Sequence, residues 1–179
     1  MILSRWRARR ASLALIDQLR GEIVAASRRP ALYLALDAPD RVDGRFELMT
    51  LHAGLVLRRL AALGGVADDI AQDLVNALFM HLDDTLREQG FSDISVSKRL
   101  KAMKKAFYGR NTAYASALDS GSRADLATAL ARNVYGRADA PKAAALAHYV
   151  LSADSALKAT PLDDFATGRF RFPDGAIGD

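Results

Sequence analysis

Apolar residues recur every three or four positions along nearly the whole chain, and this spacing is what most limits its fold. The pattern is cleanest at Ile70, Leu74, Leu78, Leu82 and Leu86, one apolar residue every four. That period lines one face of an α-helix, whereas a half-buried strand needs alternation with period two. Upstream, Leu13, Ile16, Leu19 and Ile23 give a similar stripe, ended by Arg28-Arg29-Pro30 because the residue before proline avoids the α region. Residues 31–36 read as one or two helical turns, and residues 37–44 as a loop in which Asp43 is the predicted N-cap of the next helix. That helix carries Phe46, Met49, Ala53 and Leu60 on one face and Leu48, Leu51 and Leu55 on another. A helix apolar on two sides belongs at the centre of its domain.

Turn chemistry divides the rest. Gly64-Gly65 stops the central helix, and the fourth runs from about residue 67 to 89, with Gly90 as a left-handed C-terminal cap. Ser95 or Ser97 is expected to start the fifth, which carries Val96, Leu100, Met103, Phe107, Tyr114 and Leu118. Ser122 with Asp125 approximates a capping box and opens a shorter helix through Tyr135; Asp139, with Pro141 nearby, is expected to begin the last long helix, to about Lys158. The tail from Gly168 alternates arginine and phenylalanine and reads as an extended arm. The prediction is an all-α, single-domain bundle of about six to seven helices. It divides into a short basic amphipathic N-terminal helix (residues 1–28), an all-α domain (29–160) and a C-terminal arm (161–179).

The 179 residues are enough for one full core, and the composition, half apolar and about a quarter charged, is globular. The absence of cysteine excludes disulfide scaffolds, thiolate metal sites, cysteine nucleophiles and covalent c-type haem attachment. No apolar run approaches the ~20 residues of a spanning helix. The first apolar stretch, residues 11–16, ends at Asp17, so the N-terminus is expected to be retained rather than removed as an export signal.

The net charge of +4 is concentrated in patches. Arg5, Arg7, Arg9 and Arg10 lie in an acid-free start; without them basic and acidic residues balance at 21 each. A second acid-free run holds Lys98, Arg99, Lys101, Lys104, Lys105 and Arg110. Such patches suit an anionic partner: membrane phosphate, ribosomal RNA or an acidic protein. Trp6 among the N-terminal arginines, ahead of an amphipathic helix, suits a headgroup layer, with docking on the domain's own core as the alternative.

Catalytic readings find little support. Asp83-Asp84 has the form of the paired acids with which all-α isoprenoid synthases hold magnesium, but Arg87 occupies the fifth position of the box and no second box exists. With His81 and Glu88 the pair reads better as a solvated or helix-bridging charge cluster. His52 and His148, each inside a helix, read as core or boundary residues; no Gly-rich phosphate loop and no nucleophile elbow occurs. No cofactor is expected.

Several stretches in order resemble the ubiquinol–cytochrome c chaperone family. They are residues 39–47 with Leu51-His52 and Arg58-Arg59-Leu60; residues 82–90 (LDDTLREQG); Val96 to Lys101; Ala106-Phe-Tyr-Gly-Arg110 with Tyr114 and Ala117-Leu118; and Ala129-Leu-Ala-Arg-Asn133. The likeness spans about residues 32–157, in the shorter bacterial form. It departs from the family at Asp37-Ala-Pro and at Thr85, which leaves client specificity open more than fold. The resemblance implies an all-α, non-enzymatic assembly factor for the cytochrome bc1 complex that binds newly made cytochrome b. It implies cytoplasmic work beside the inner membrane, contact with the ribosome or the anionic membrane surface, and a possible partner assembly factor. The expected partner- and client-binding residues are Asp83, Asp84, Arg87, Glu88, Met103, Phe107, Tyr108 and Arg110. Arg5, Trp6, Arg7, Arg9, Arg10, Lys98, Arg99, Lys101, Lys104 and Lys105 are the expected ribosome or membrane contacts. Met49, Met80 and Met103 are candidates for adaptable groove lining, though methionine in a helical stripe is more often ordinary core. A ribosome- or RNA-binding module and an isoprenoid-type enzyme are the competing readings.

Overall fold

The computed structural model describes the backbone of residues 2–173 and the side chains of residues 13–173. Among them every regular element is helical: α1 (Ile2–Ser27), α2 (Pro30–Leu34), α3 (Val42–Leu63), α4 (Val66–Glu88), α5 (Asp93–Asp119), α6 (Arg123–Val134), α7 (Ala143–Ala159) and α8 (Leu162–Ala166). The other five long helices surround α3, which packs against α1, α4, α5, α6 and α7. Its central place follows from its sequence: Leu48, Leu51, Leu55, Val56 and Leu60 are all buried, on more than one face. The α4 stripe is buried as its spacing requires, from Ile70 through Leu86. Each such leucine contributes about 1.5–3 kcal/mol by leaving water. Ile16, Leu19 and Ile23 bury the second half of α1 against α3 and α4.

Several termini differ from the sequence expectation. Asp43 lies inside the first turn of α3 rather than capping it; Arg41 holds the N-cap position without a side-chain bond. A Cβ on Gly44 would lie 1.9 Å from the Pro39 carbonyl oxygen, so the loop closes directly over the first turn. Asp43 still favours that end through the helix dipole. The cap of α5 is Ser92, whose Oγ accepts from the Ser95 amide at 3.4 Å, so the helix starts before Ser95. The α7 helix begins at Ala143, because residues 135–142 are spent on a turn with Gly136 at φ +68°. Ser122 caps α6 as expected, accepting from the Asp125 amide at 3.1 Å, and Gly90 at φ +83° follows α4.

The arm is part of the core. After α8, residues 169–173 run extended, and the two-residue period turns Phe170 and Phe172 inward while Arg169 and Arg171 stay exposed. Gln18 donates to the Gly168 carbonyl at 3.0 Å, the Phe172 amide donates to Glu22 at 3.3 Å, and Arg29 donates to the carbonyls of Phe172 (3.0 Å) and Pro173 (2.6 Å). Residues 174–179 of the expected arm lie outside the described residues.

Candidate functional site

The paired acids of α4 have different environments. Asp83 accepts from Arg87 Nε at 2.7 Å, and Arg87 also pairs with Asp93 on α5. These two carboxylates hold the exposed Arg87 guanidinium protonated, its pKa raised first by the Asp83 bond, and clip the end of α4 to the start of α5. Asp84 and Glu88 stay exposed and make no hydrogen bond or ion pair among the described residues. His81 is half-buried, and desolvation is the main cause lowering its pKa, followed by Arg20 and Arg28. No group of three or more His, Asp or Glu side chains that could hold a metal lies among the described residues.

Two open grooves flank the outer ridge of α4. The first, about 390 Å³ between α4 and α5, is lined by Phe79, Met80, Asp83, Asp84, Leu100, Lys104 and Tyr108, with Val75 and Asn76 at one end. Lys104 Nζ stands 5.3 Å from the centre of the Phe79 ring, which meets Phe107 edge-on at 5.4 Å. The second, about 530 Å³ between α1 and α4, shares Asn76, Met80 and Asp84 and adds Leu13, Asp17, Asp73 and His81. Met80 (68% exposed), Leu13 (59%) and Tyr108 (58%) therefore form one apolar stripe across α1, α4 and α5, set among carboxylates. Large apolar side chains grouped like this on a helical surface mark interaction sites.

The other expected site residues divide between surface and interior. Phe107 is wholly buried and belongs to the core. Met103 is half-buried and lines, with the buried Met49, a separate cavity of about 60 Å³ between α1, α3, α4 and α5. Of the three methionines named as groove lining, only Met80 faces solvent. Arg110 donates its Nε to the buried Glu47 of α3. Burial raises the Glu47 pKa, and Arg110 opposes that rise. Lys98, Arg99, Lys101, Lys104 and Lys105 are exposed. Arg99 stacks 4.3 Å from the Phe91 ring, while Lys98, Lys101 and Lys105 form no ion pair among the described residues. Arg5, Arg7, Arg9 and Arg10 lie within α1, as does Trp6, but their side chains are outside the described residues.

Sequence reasoning missed the clips that hold this scaffold. Arg58 bridges Asp119 (2.5 Å) and Asp154 (3.3 Å), Lys158 also reaches Asp154 (2.7 Å), and Arg59 donates to the Thr160 carbonyl at 2.8 Å. These join α3 to the ends of α5 and α7. Their one signal in the sequence was the Arg58-Arg59 pair inside the apolar second half of α3.

The molecule is thus an all-helical scaffold with an exposed, acid-flanked apolar stripe, the form of a helical binding protein. Comparison with known proteins agrees. The model of the ubiquinol-cytochrome C chaperone family matches residues 34–172, and the chain belongs to that family. Among solved structures it is similar to one described as the crystal structure of the Cbp3 homolog from Brucella abortus, at 34% identity and a TM-score of 0.86 over 97% of each chain. No curated protein matches it in sequence. Family and structural likeness together support a chaperone or assembly-factor role for the bc1 complex. Among the described residues no helix is long and apolar enough to cross a membrane.

Proposed function

We propose that the protein is a non-enzymatic assembly factor that holds newly made cytochrome b during assembly of the cytochrome bc1 complex, on the cytoplasmic side of the inner membrane. The observation that carries the reading is the exposed stripe of Leu13, Met80 and Tyr108 over two grooves, together with membership of the chaperone family. An apolar helix laid along the α4–α5 groove would meet Met80, Leu100 and Tyr108 on its anchors, and methionine adapts to irregular partners. Asp84 and Glu88, without ion-pair partners among the described residues, suit the Lys- and Arg-rich segments that flank the cytoplasmic ends of membrane helices. Asp83 and Arg87 support this surface by joining α4 to α5. Lys98, Arg99, Lys101 and Lys104, with the N-terminal arginines and Trp6, would keep the protein near the ribosome or the anionic inner leaflet.

Deleting the gene and measuring bc1 complex abundance tests the proposal. Lost complex and unstable cytochrome b are expected; normal levels of both would refute it. An isoprenoid-type enzyme has no favouring observation, since Arg87 already neutralises one aspartate of the pair.

A further inference from the structure

The opposite side of α5 carries a second surface, distinct from the client groove in shape and in charge. Between α5 and α6 runs a depression of about 440 Å³ floored by Ala102, Ala106, Gly109 and Ala113. These positions follow one face of α5 for three turns, about 16 Å at 1.5 Å per residue. Its rims are cationic: Lys105 on α5, and Arg132 on α6 with Asn133 beside it. Neither Lys105 nor Arg132 has an ion-pair partner among the described residues, whereas Arg110, at the inner edge, is fixed by Glu47. Behind this wall Tyr114 is buried, and its hydroxyl makes no hydrogen bond within 3.5 Å. Burial raises the Tyr114 pKa, and Glu47 adds to the rise while Asn133, Arg110 and Arg132 oppose it.

We infer that this groove docks an acidic α-helix of a partner protein. Small side chains along three turns let a second helix approach closely, so the fit is to a rod-shaped segment of similar length. Cations on both rims, without ion-pair partners among the described residues, call for carboxylates at three- and four-residue spacing on that helix. A nucleic acid fits less well: no aromatic side chain lines the groove for a base to stack on. A membrane fits less well because the groove is concave and carries no exposed apolar anchor. The client groove uses Leu100, Lys104 and Tyr108, on the other side of α5, so client and partner could be held together.

The test uses the full isotope-labelled chain and, as probe, a 16-residue alanine–glutamate helical peptide with glutamates three and four residues apart. Saturable amide shifts concentrated at Ala102–Ala113 and Arg132-Asn133 are expected. Gly109→Leu keeps every charge and fills the floor, and an added Cβ at Gly109 meets nothing within 4 Å, so the position has room for it. It should weaken the peptide at least tenfold, as should Lys105→Glu with Arg132→Glu. Absent or unmapped shifts, or equal binding by Gly109→Leu, would overturn the inference. So would tighter binding at these residues of a 12-residue oligouridylate or of phosphatidylserine vesicles. Because this readout involves neither Met80 nor cytochrome b, failure here and failure of the client reading are separable.

Discussion

His52 Nε2 lies 2.7 Å from the hydroxyl of Tyr149, 97 residues further along the chain, with both side chains wholly buried. The tautomer follows from the other ring nitrogen. Nδ1 is 2.7 Å from the Leu48 carbonyl, which can only accept, so Nδ1 carries the proton and Nε2 accepts from Tyr149. The pair links α3 to α7, and Phe172 of the arm closes over the imidazole at 4.9 Å. Tyr149→Phe would leave Nε2 buried without that donor, and should cost about 1–3 kcal/mol in urea unfolding.

Burial lowers the His52 pKa to about 4 from an ordinary value of 6.5. Between those values the unfolded chain binds a proton that the folded chain refuses. Stability is therefore complete above pH 6.5 and falls as pH drops toward 4, by about 3 kcal/mol for the shift. The raised pKa of Glu47 acts in the opposite sense just above 4.5, so the difference between two chains isolates the histidine. Wild type should lose more stability than His52→Gln between pH 7 and pH 4.5 in parallel denaturant titrations; equal losses would contradict the assignment.

Arg110→Ala should destabilise by about 3–5 kcal/mol, since it leaves the Glu47 carboxylate buried without its cation. The combined Glu47→Leu and Arg110→Met change should recover most of that loss. Thermal melts of the wild type and these two variants decide this, and a mild effect of Arg110→Ala alone would place the pair at the surface in energetic terms.

The arm stabilises the fold from the other end of the chain. Phe172→Ala should cost about 3–5 kcal/mol by opening the core beneath α1 and α3. Hydrogen exchange should then rise at α1 near Gln18 and Glu22, which bond the arm.

These clips show what the sequence made legible. The four-residue stripe of α4 and the two-sided α3 predicted both helices and their burial, because apolar period is a local property. His52 was correctly placed as a core histidine, but its partner Tyr149 could not be named, since nothing local connects positions 97 residues apart. The same holds for Arg58 with Asp119 and Asp154, and for Arg110 with Glu47. Helix starts moved where capping depended on loop packing: Ser92 caps α5 rather than Ser95 or Ser97 starting it, and α7 begins at Ala143 rather than Asp139. Of the residues expected at the client surface, Phe107 and Met103 face inward because they sit on the same stripe as Val96 and Tyr114. Met80 and Tyr108 lie off their core stripes and reach the surface.

The exposed stripe permits a clean separation of function from stability. Met80→Asp and Tyr108→Asp alter side chains that are 68% and 58% exposed, so melting temperature should stay within a few degrees. Accumulation of bc1 complex in cells should nevertheless fall at least severalfold. Normal complex levels with both changes combined would remove this surface from the account.

The central claim is that the α4–α5 groove holds newly made cytochrome b. Placing a photoreactive amino acid at position 108 and irradiating during synthesis of cytochrome b tests it most directly. The account predicts a crosslink to cytochrome b from position 108 and none from exposed position 128 on α6. Equal crosslinking from both positions, or none from 108 while bc1 assembly proceeds normally, would contradict it.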